Sequence, residues 1–212
     1  MGDNTSMSGS AVGVMQFVAE LHEFRPTIWR RFQVRSDVDL ADFCYVLMEM
    51  FHMGGHLFDF TINDVRYALP LPNVLGDWGE PAKNIKGITI NELFTQEGTF
   101  GELWYDFGDS WYVGVKLESL KVTDPGSFEE LPRVIEGEGF GIVENCGGVE
   151  GLEEIAKGLK TGRGADWKDQ KAWLKENYPE VLEKGLTHFD LDQINTAIKH
   201  CHVADIYKLM TK

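Results

Sequence analysis

Long apolar runs are missing from this 212-residue chain. No stretch approaches the roughly 20 residues that a membrane-spanning helix needs, so no segment predicts one. Cysteine is scarce: Cys44, Cys146 and Cys201 are scattered and odd in number, which argues against a disulfide framework and predicts a reducing, cytoplasmic setting. Positive charge is in deficit, with 20 Lys and Arg against 34 Asp and Glu, a net charge of −14. The deficit is uneven: residues 1–156 hold 26 acidic against 10 basic side chains, and residues 157–212 hold 8 against 10. A field of that sign repels phosphate backbones and argues against direct nucleic-acid binding, leaving only a local patch at Arg30, Arg31 and Arg35 to be weighed. The opening "MGDNTSMSGSAVG" has neither the basic nor the apolar region of a signal peptide, and residues 1–13 are expected to form a tail.

What is present is an ordinary globular composition, 43% hydrophobic and 25% charged, enough for one cored domain. Period-two alternation over "VMQFVAELH" puts Met15, Phe17, Ala19 and Leu21 on one face of a strand. "IWRRFQV" alternates next, with Ile28, Arg30, Phe32 and Val34 against Trp29, Arg31, Gln33 and Arg35, and predicts an antiparallel partner. In "DLADFCYVLMEMF" the spacing changes to three and four, so Leu40, Phe43, Cys44, Leu47, Met48 and Phe51 form a helical stripe capped by Asp39 and ended by "HMGG". "HLFDFTIND" is read as a strand with His56, Phe58, Phe60 and Ile62 on one face, "VRYALP" as its short partner, and "NVLGDWGEPAKN" as loop. "TINE" is a capping box on Thr89 and Glu92, opening a short helix stopped by Gly98.

"TFGELWYDF" and "WYVGVKLESL" flank "GDS". A three-residue loop at Gly108–Ser110 pairs Phe107 with Trp111, Tyr105 with Val113 and Leu103 with Val115 on an apolar face. Asp106 then stands opposite Tyr112 on the other face. A two-residue loop would mix the faces, because a one-residue slip turns every side chain over. Asp109 is read as a turn former at the tip. Residues 132–151, "PRVIEGEGFGIVENCGGVEG", read as a long Gly-rich loop carrying Glu136, Glu138 and Glu144. With no lysine and with those carboxylates it is not a phosphate cradle, and Glu136, Glu138 and Glu144 are the weak candidates for a hard cation. Helices follow over "VEGLEEIAKGL", "WKDQKAWLKENYPEVLEKG" and "DLDQINTAIKHCHVADIYKLM". "HCH" at 200–202 is no metal motif, since adjacent helical positions point about 100° apart. The predicted architecture is α+β. It has an antiparallel or mixed sheet with a ββα-ββ start, a central β-hairpin, packed helices and a C-terminal helical extension. The expected division is a tail (1–13), an α+β domain (14–160) and the extension (161–212).

Five stretches together resemble the plasmid pRiA4b ORF-3-like family, some members of which are labelled transposon passenger or TnpR proteins: "RPTIWRRFQV", "GGHLFDF", "YDFGDSWYVGVKLE", "VIEGEGFGIVENCGGVEGLEE" and "HFDLDQIN". The resemblance implies a compact α+β domain and an association with plasmids or mobile elements. It carries no resolvase chemistry here, because no arginine cluster accompanies Ser36, Ser110, Ser119 or Ser127 as a recombinase nucleophile would require. Many relatives have a second histidine where this chain has Phe58, and cysteines where it has Val134 and Gly141. If relatives bind a metal through those groups, the resemblance implies that this chain has lost that capacity.

Three functional expectations follow. The first is a non-catalytic module binding a protein or peptide partner through Trp29, Arg31, Trp104 and Tyr112, or by adding a strand to an exposed sheet edge. The second is a metal-assisted hydrolase using His56, Asp106 and Glu138, with Asp109 as a further ligand. The third is single-strand nucleic-acid binding on Trp29, Arg31 and Arg35, which the acidic net charge disfavours. No cofactor is predicted.

Overall fold

The structure, a computed structural model, describes residues 12–70, 82–122 and 128–199. The first two strands, β1 (Val14–Leu21) and β2 (Trp29–Arg35), pair antiparallel with Phe17 opposite Phe32. Helix α1 (Leu40–Met50) starts at Asp39, whose Oδ1 accepts the Ala41 amide hydrogen at 2.9 Å. Strands β3 (Phe58–Ile62) and β4 (Val65–Ala68) form a hairpin, and β5 (Lys83–Asn84) adds to β4 in parallel. Thr89 and Glu92 make the expected capping box ahead of α2 (Ile90–Leu93). The long hairpin β6 (Phe100–Tyr105) and β7 (Trp111–Ser119) comes next, then β8 (Arg133–Glu138). One mixed sheet results, ordered β5-β4-β3-β6-β7-β1-β2-β8. Its inner face buries the predicted alternation, Met15, Phe17, Ala19 and Leu21 among it, against α1. Phe17, Phe43 and Phe94 meet there with ring centroids 5.0 to 5.9 Å apart.

Helices α3 (Gly148–Thr161), α4 (Trp167–Asn177), α5 (Pro179–Lys184) and α6 (Leu191–Lys199) complete the described chain. One helix was expected over residues 167–185. Pro179 divides it, because the proline ring disfavours the helical conformation at Tyr178, which takes φ −138° and ψ 58°. Leu174, Val181, Ile194 and Ile198 join the same core as the sheet. The rest of the predicted C-terminal stripe, the "HCH" triplet and most of "NVLGDWGEPAKN" lie outside the described residues.

Three local expectations are corrected. Residues 133–138 form a strand where a glycine-rich loop was predicted. Gly137 serves close packing there, since a Cβ would come 2.7 Å from the Trp29 carbonyl oxygen and 2.9 Å from the Phe189 ring. Helix α1 stops before "GG", and His52 rather than a glycine takes the left-handed φ of 59°. The β6–β7 register is offset by two residues, pairing Tyr105 with Trp111 and Leu103 with Val113 around a five-residue loop. An offset of two preserves the faces, so the apolar set stays buried. Ser110 occupies the place where a three-residue loop wants glycine. The wider loop instead lets Asp106 and Ser110 take φ of 51° and 53°. Phe107 leaves the apolar face and packs on Trp104, centroids 4.5 Å apart.

Arg30, the one basic residue on an apolar face, is fully buried. All five of its N–H groups donate to backbone carbonyls: Nε to Met50, Nη1 to Trp29 and Glu138, Nη2 to Gly139 and Phe140, at 2.8 to 3.1 Å. The rings of Phe51 and Phe189 lie over its guanidinium carbon, centroids 5.2 and 4.7 Å away. At the outer edge of β8, Asn195 of α6 accepts the Val134 amide hydrogen at 2.8 Å and donates to the Val134 carbonyl at 3.0 Å. The side chain occupies the ladder positions that another strand would use, a common way to blunt an edge. Asn195→Ala should cost about 1–2 kcal/mol and promote self-association, read by urea titration and by sedimentation velocity over a concentration series.

Candidate metal site

Three separate segments converge at one end of the sheet. His56 stands just before β3, on the loop leaving α1. Pairing of Phe58 with Tyr105, extended by the Asp106 amide hydrogen to the Leu57 carbonyl at 2.9 Å, sets His56 beside Asp106. Asp106 is held in its turn by the Gly108 amide, which donates to Oδ1 at 3.0 Å and leaves Oδ2 toward His56. The third residue, Glu144, comes from the loop between β8 and α3. Its Oε1 accepts from the Tyr105 hydroxyl at 2.5 Å and the Gly54 amide at 2.7 Å, while its own amide donates to the Tyr178 hydroxyl oxygen at 3.0 Å. Asp109 docks the hairpin tip on that loop, its Oδ2 accepting the Gly147 amide hydrogen at 3.2 Å. Gly148, at φ 70°, admits this contact: a Cβ would lie 2.4 Å from the Asp109 carbonyl oxygen.

His56 Nδ1 lies 3.7 Å from Asp106 Oδ2, and Nε2 lies 3.7 Å from Glu144 Oε2. Both separations exceed hydrogen-bond length. One donor atom from each residue falls within 4.8 Å of the others. The Asp106 and Glu144 side chains are only 13% and 12% exposed, whereas His56 is 37% exposed, so the group is sunk on the carboxylate side and open on the imidazole side. Glu144 Oε2 is buried and without a hydrogen-bond partner. A buried carboxylate oxygen left unpaired is costly, and among the described residues no Lys or Arg pairs with Asp106 or Glu144. The negative field reaches the neighbours. Burial, then the bond and charge of Glu144, hold the Tyr105 hydroxyl well above the usual phenol range. Burial and then the Asp109 charge push the Cys146 thiol up to about 12.

Of the residues singled out from sequence, the structure brings together His56 and Asp106 with Glu144, one of the three cation candidates. Glu138 stands apart on β8, exposed and paired in register with Trp29. Glu136 forms an ion pair with Arg31 on the outer face of the sheet. Asp109 turns to the Gly147 amide and does not converge with Asp106 on a shared centre. Trp29, Arg31, Trp104 and Tyr112 lie on the outer face, where Trp104 and Tyr112 stack with centroids 5.8 Å apart. Arg31 is bound by Glu118 at 2.7 Å as well as by Glu136, and Arg35 by Asp37 at 2.7 Å. Tyr105 and the Gly54 amide were not singled out. Tyr105 was visible only as an apolar position in the alternation, and no sequence pattern marks a free amide. Among the described residues, no helix is long and apolar enough to cross a membrane.

The fold and site define an α+β domain in which a mixed eight-stranded sheet carries a histidine and two carboxylates at one end. The chain belongs to the plasmid pRiA4b ORF-3-like protein family, whose model matches residues 13–197. It is 27% identical over 148 residues to the uncharacterized protein y4hQ of Sinorhizobium fredii, a match covering 69% of this chain and 73% of that protein. It is also similar in fold to the crystal structure of MM3350, a protein of unknown function from Methanosarcina mazei Go1. That similarity has a TM-score of 0.68 at 22% identity, over 86% of this chain and 97% of the other.

Proposed function

We propose that this domain binds one divalent metal ion through His56, Asp106 and Glu144 and uses it for metal-assisted hydrolysis of a small substrate. The observation that carries this reading is the convergence of those three donors within 4.8 Å, with the buried Glu144 Oε2 lacking any hydrogen-bond donor. One imidazole and two carboxylates suit Mn²⁺ or Zn²⁺. Three protein ligands leave coordination positions for water, whose pKa such an ion lowers toward neutrality. Tyr105 and Gly54 fix one oxygen of Glu144, so that the other is presented in a set direction.

At a metal concentration one hundred times Kd, the melting temperature should rise by about 5–10 °C, from a linkage term of about 2.7 kcal/mol. By titration calorimetry, His56→Ala, Asp106→Asn and Glu144→Gln should each weaken Mn²⁺ or Zn²⁺ binding tenfold or more, while Glu136→Gln and Glu138→Gln leave it unchanged. Retained affinity in Glu144→Gln would remove the basis of the proposal. The hydrolytic part is tested by metal-dependent turnover of phosphate-ester and amide substrates that disappears in the same variants.

A partner-binding role has separate support in the outer face of the sheet, where Trp104, Tyr112 and Phe107 pack together and Phe100 is 51% exposed. Strand addition at β8 has less support, because Asn195 occupies the Val134 ladder groups.

A further inference from the structure

A cleft of about 470 Å³ opens between the β1–β2 turn, the last two turns of α3 and the segment after α5. Its residues are distinct from the metal ligands. The apolar wall comes from Phe24, Pro26, Leu159 and Leu186, of which Phe24 and Leu186 are 1% and 6% exposed. Those two form a floor fixed by the core, while exposed Pro26 and half-buried Leu159 supply the accessible apolar surface. Three cations line the same cleft: Arg25, Lys157 and Lys160.

In a chain of net charge −14, three positive groups stand around one apolar hollow whose lining holds no acidic residue. Two of the three have acidic partners, both at the exposed surface. Arg25 pairs with Glu20 at 3.7 Å, both largely exposed, and Lys157 with Glu154 at 2.9 Å, likewise exposed. Exposed pairs of this kind contribute little and yield readily to a competing anion. Among the described residues Lys160 has no acidic partner. The combination specifies its ligand on two counts: an apolar body to cover Pro26 and Leu159, and one negative head group to meet the cations. The volume lies within the range of small-molecule sites, which are apolar with a few placed polar groups.

We infer that this cleft is a second binding site, taking a small amphiphile with an apolar body and a single anionic head. Calorimetry with decanoate below its micellar concentration should show one site per chain, weakened by added salt because the cations are exposed. Decyltrimethylammonium, with the same body and the opposite charge, should bind at least tenfold more weakly. The double charge reversal Lys157→Glu with Lys160→Glu should lower decanoate affinity at least tenfold. The reversal removes the Lys157–Glu154 pair and places acidic charge at the end of α3, so the melting temperature should fall by a few degrees, and a helical circular dichroism spectrum equal to the parent's at the assay temperature separates lost binding from lost folding. His56→Ala should leave decanoate binding unchanged, which keeps the result independent of the metal proposal. Equal binding of the two head groups, no effect of the charge reversal, or no decanoate binding to the intact chain would each overturn the inference.

Discussion

Replacing Arg30 by methionine should destabilise the fold by about 4 kcal/mol, the range seen when one member of a buried charged network is removed. The guanidinium joins three places: the last turn of α1 through Met50, its own strand through Trp29, and the start of the site loop through Glu138, Gly139 and Phe140. Methionine matches much of the volume but supplies no donor, leaving those buried carbonyls short of a partner at about 1–3 kcal/mol for each that stays unsatisfied. Burial lowers the Arg30 pKa to about 9, still far enough above neutrality that the side chain remains a cation. Arg30→Lys should recover less than half of the loss. An ammonium has three donors radiating from one point, whereas the carbonyls are set out for a planar fork. Urea denaturation at neutral pH measures all three proteins, and a methionine variant within 1 kcal/mol of the parent would show that the network is dispensable.

Acid should remove roughly 3 kcal/mol of stability through His52 alone between pH 7 and pH 4, because burial holds its folded-state pKa at about 4, below the ordinary 6.5. The ring stacks on Phe140 with centroids 4.4 Å apart and planes 8° from parallel. Burial, and then the nearby Arg30 charge, lower its pKa from 6.5 to about 4. Glu180, His188 and Asp190 border the same small cavity. With the folded-state value depressed, the unfolded chain takes up the proton first as pH falls through 6.5. Stability is therefore complete above that value and declines toward pH 4. His52→Asn tolerates the positive φ and removes the titration, so its stability should fall less steeply over the same window. Parallel slopes for the two proteins, measured by urea denaturation from pH 7 to pH 4, would contradict the assignment.

Period-two alternation located β1, β2 and the β6–β7 faces because burial on one side of a sheet leaves that mark directly in the chain. The same rule failed at residues 133–138, where glycine stands in for a side chain that the Trp29 carbonyl and the Phe189 ring exclude. Packing of that kind has no local signature. Arg30 read as an interruption of an apolar face, and only the fold reveals that four distant carbonyls and that of Trp29 meet it. The site divides in the same way. His56 and Asp106 were legible as a histidine opening a strand and a carboxylate beside a turn. Glu144 was one of three candidate glutamates in a glycine-rich stretch, and nothing in its spacing set it above Glu136 and Glu138. Its selection depends on β8 pairing with β2 and on Asp109 seating the hairpin tip against Gly147, which are contacts between segments far apart in sequence.

The identity of the group that compensates Glu144 is settled most directly by anomalous diffraction from crystals grown with Mn²⁺. A peak about 2.0–2.3 Å from one His56 nitrogen and from single oxygens of Asp106 and Glu144, lost in Glu144→Gln, is the predicted result. A map with no peak there, in which the imidazole closes to hydrogen-bond distance on both carboxylates, would show a proton in place of the metal and contradict the account.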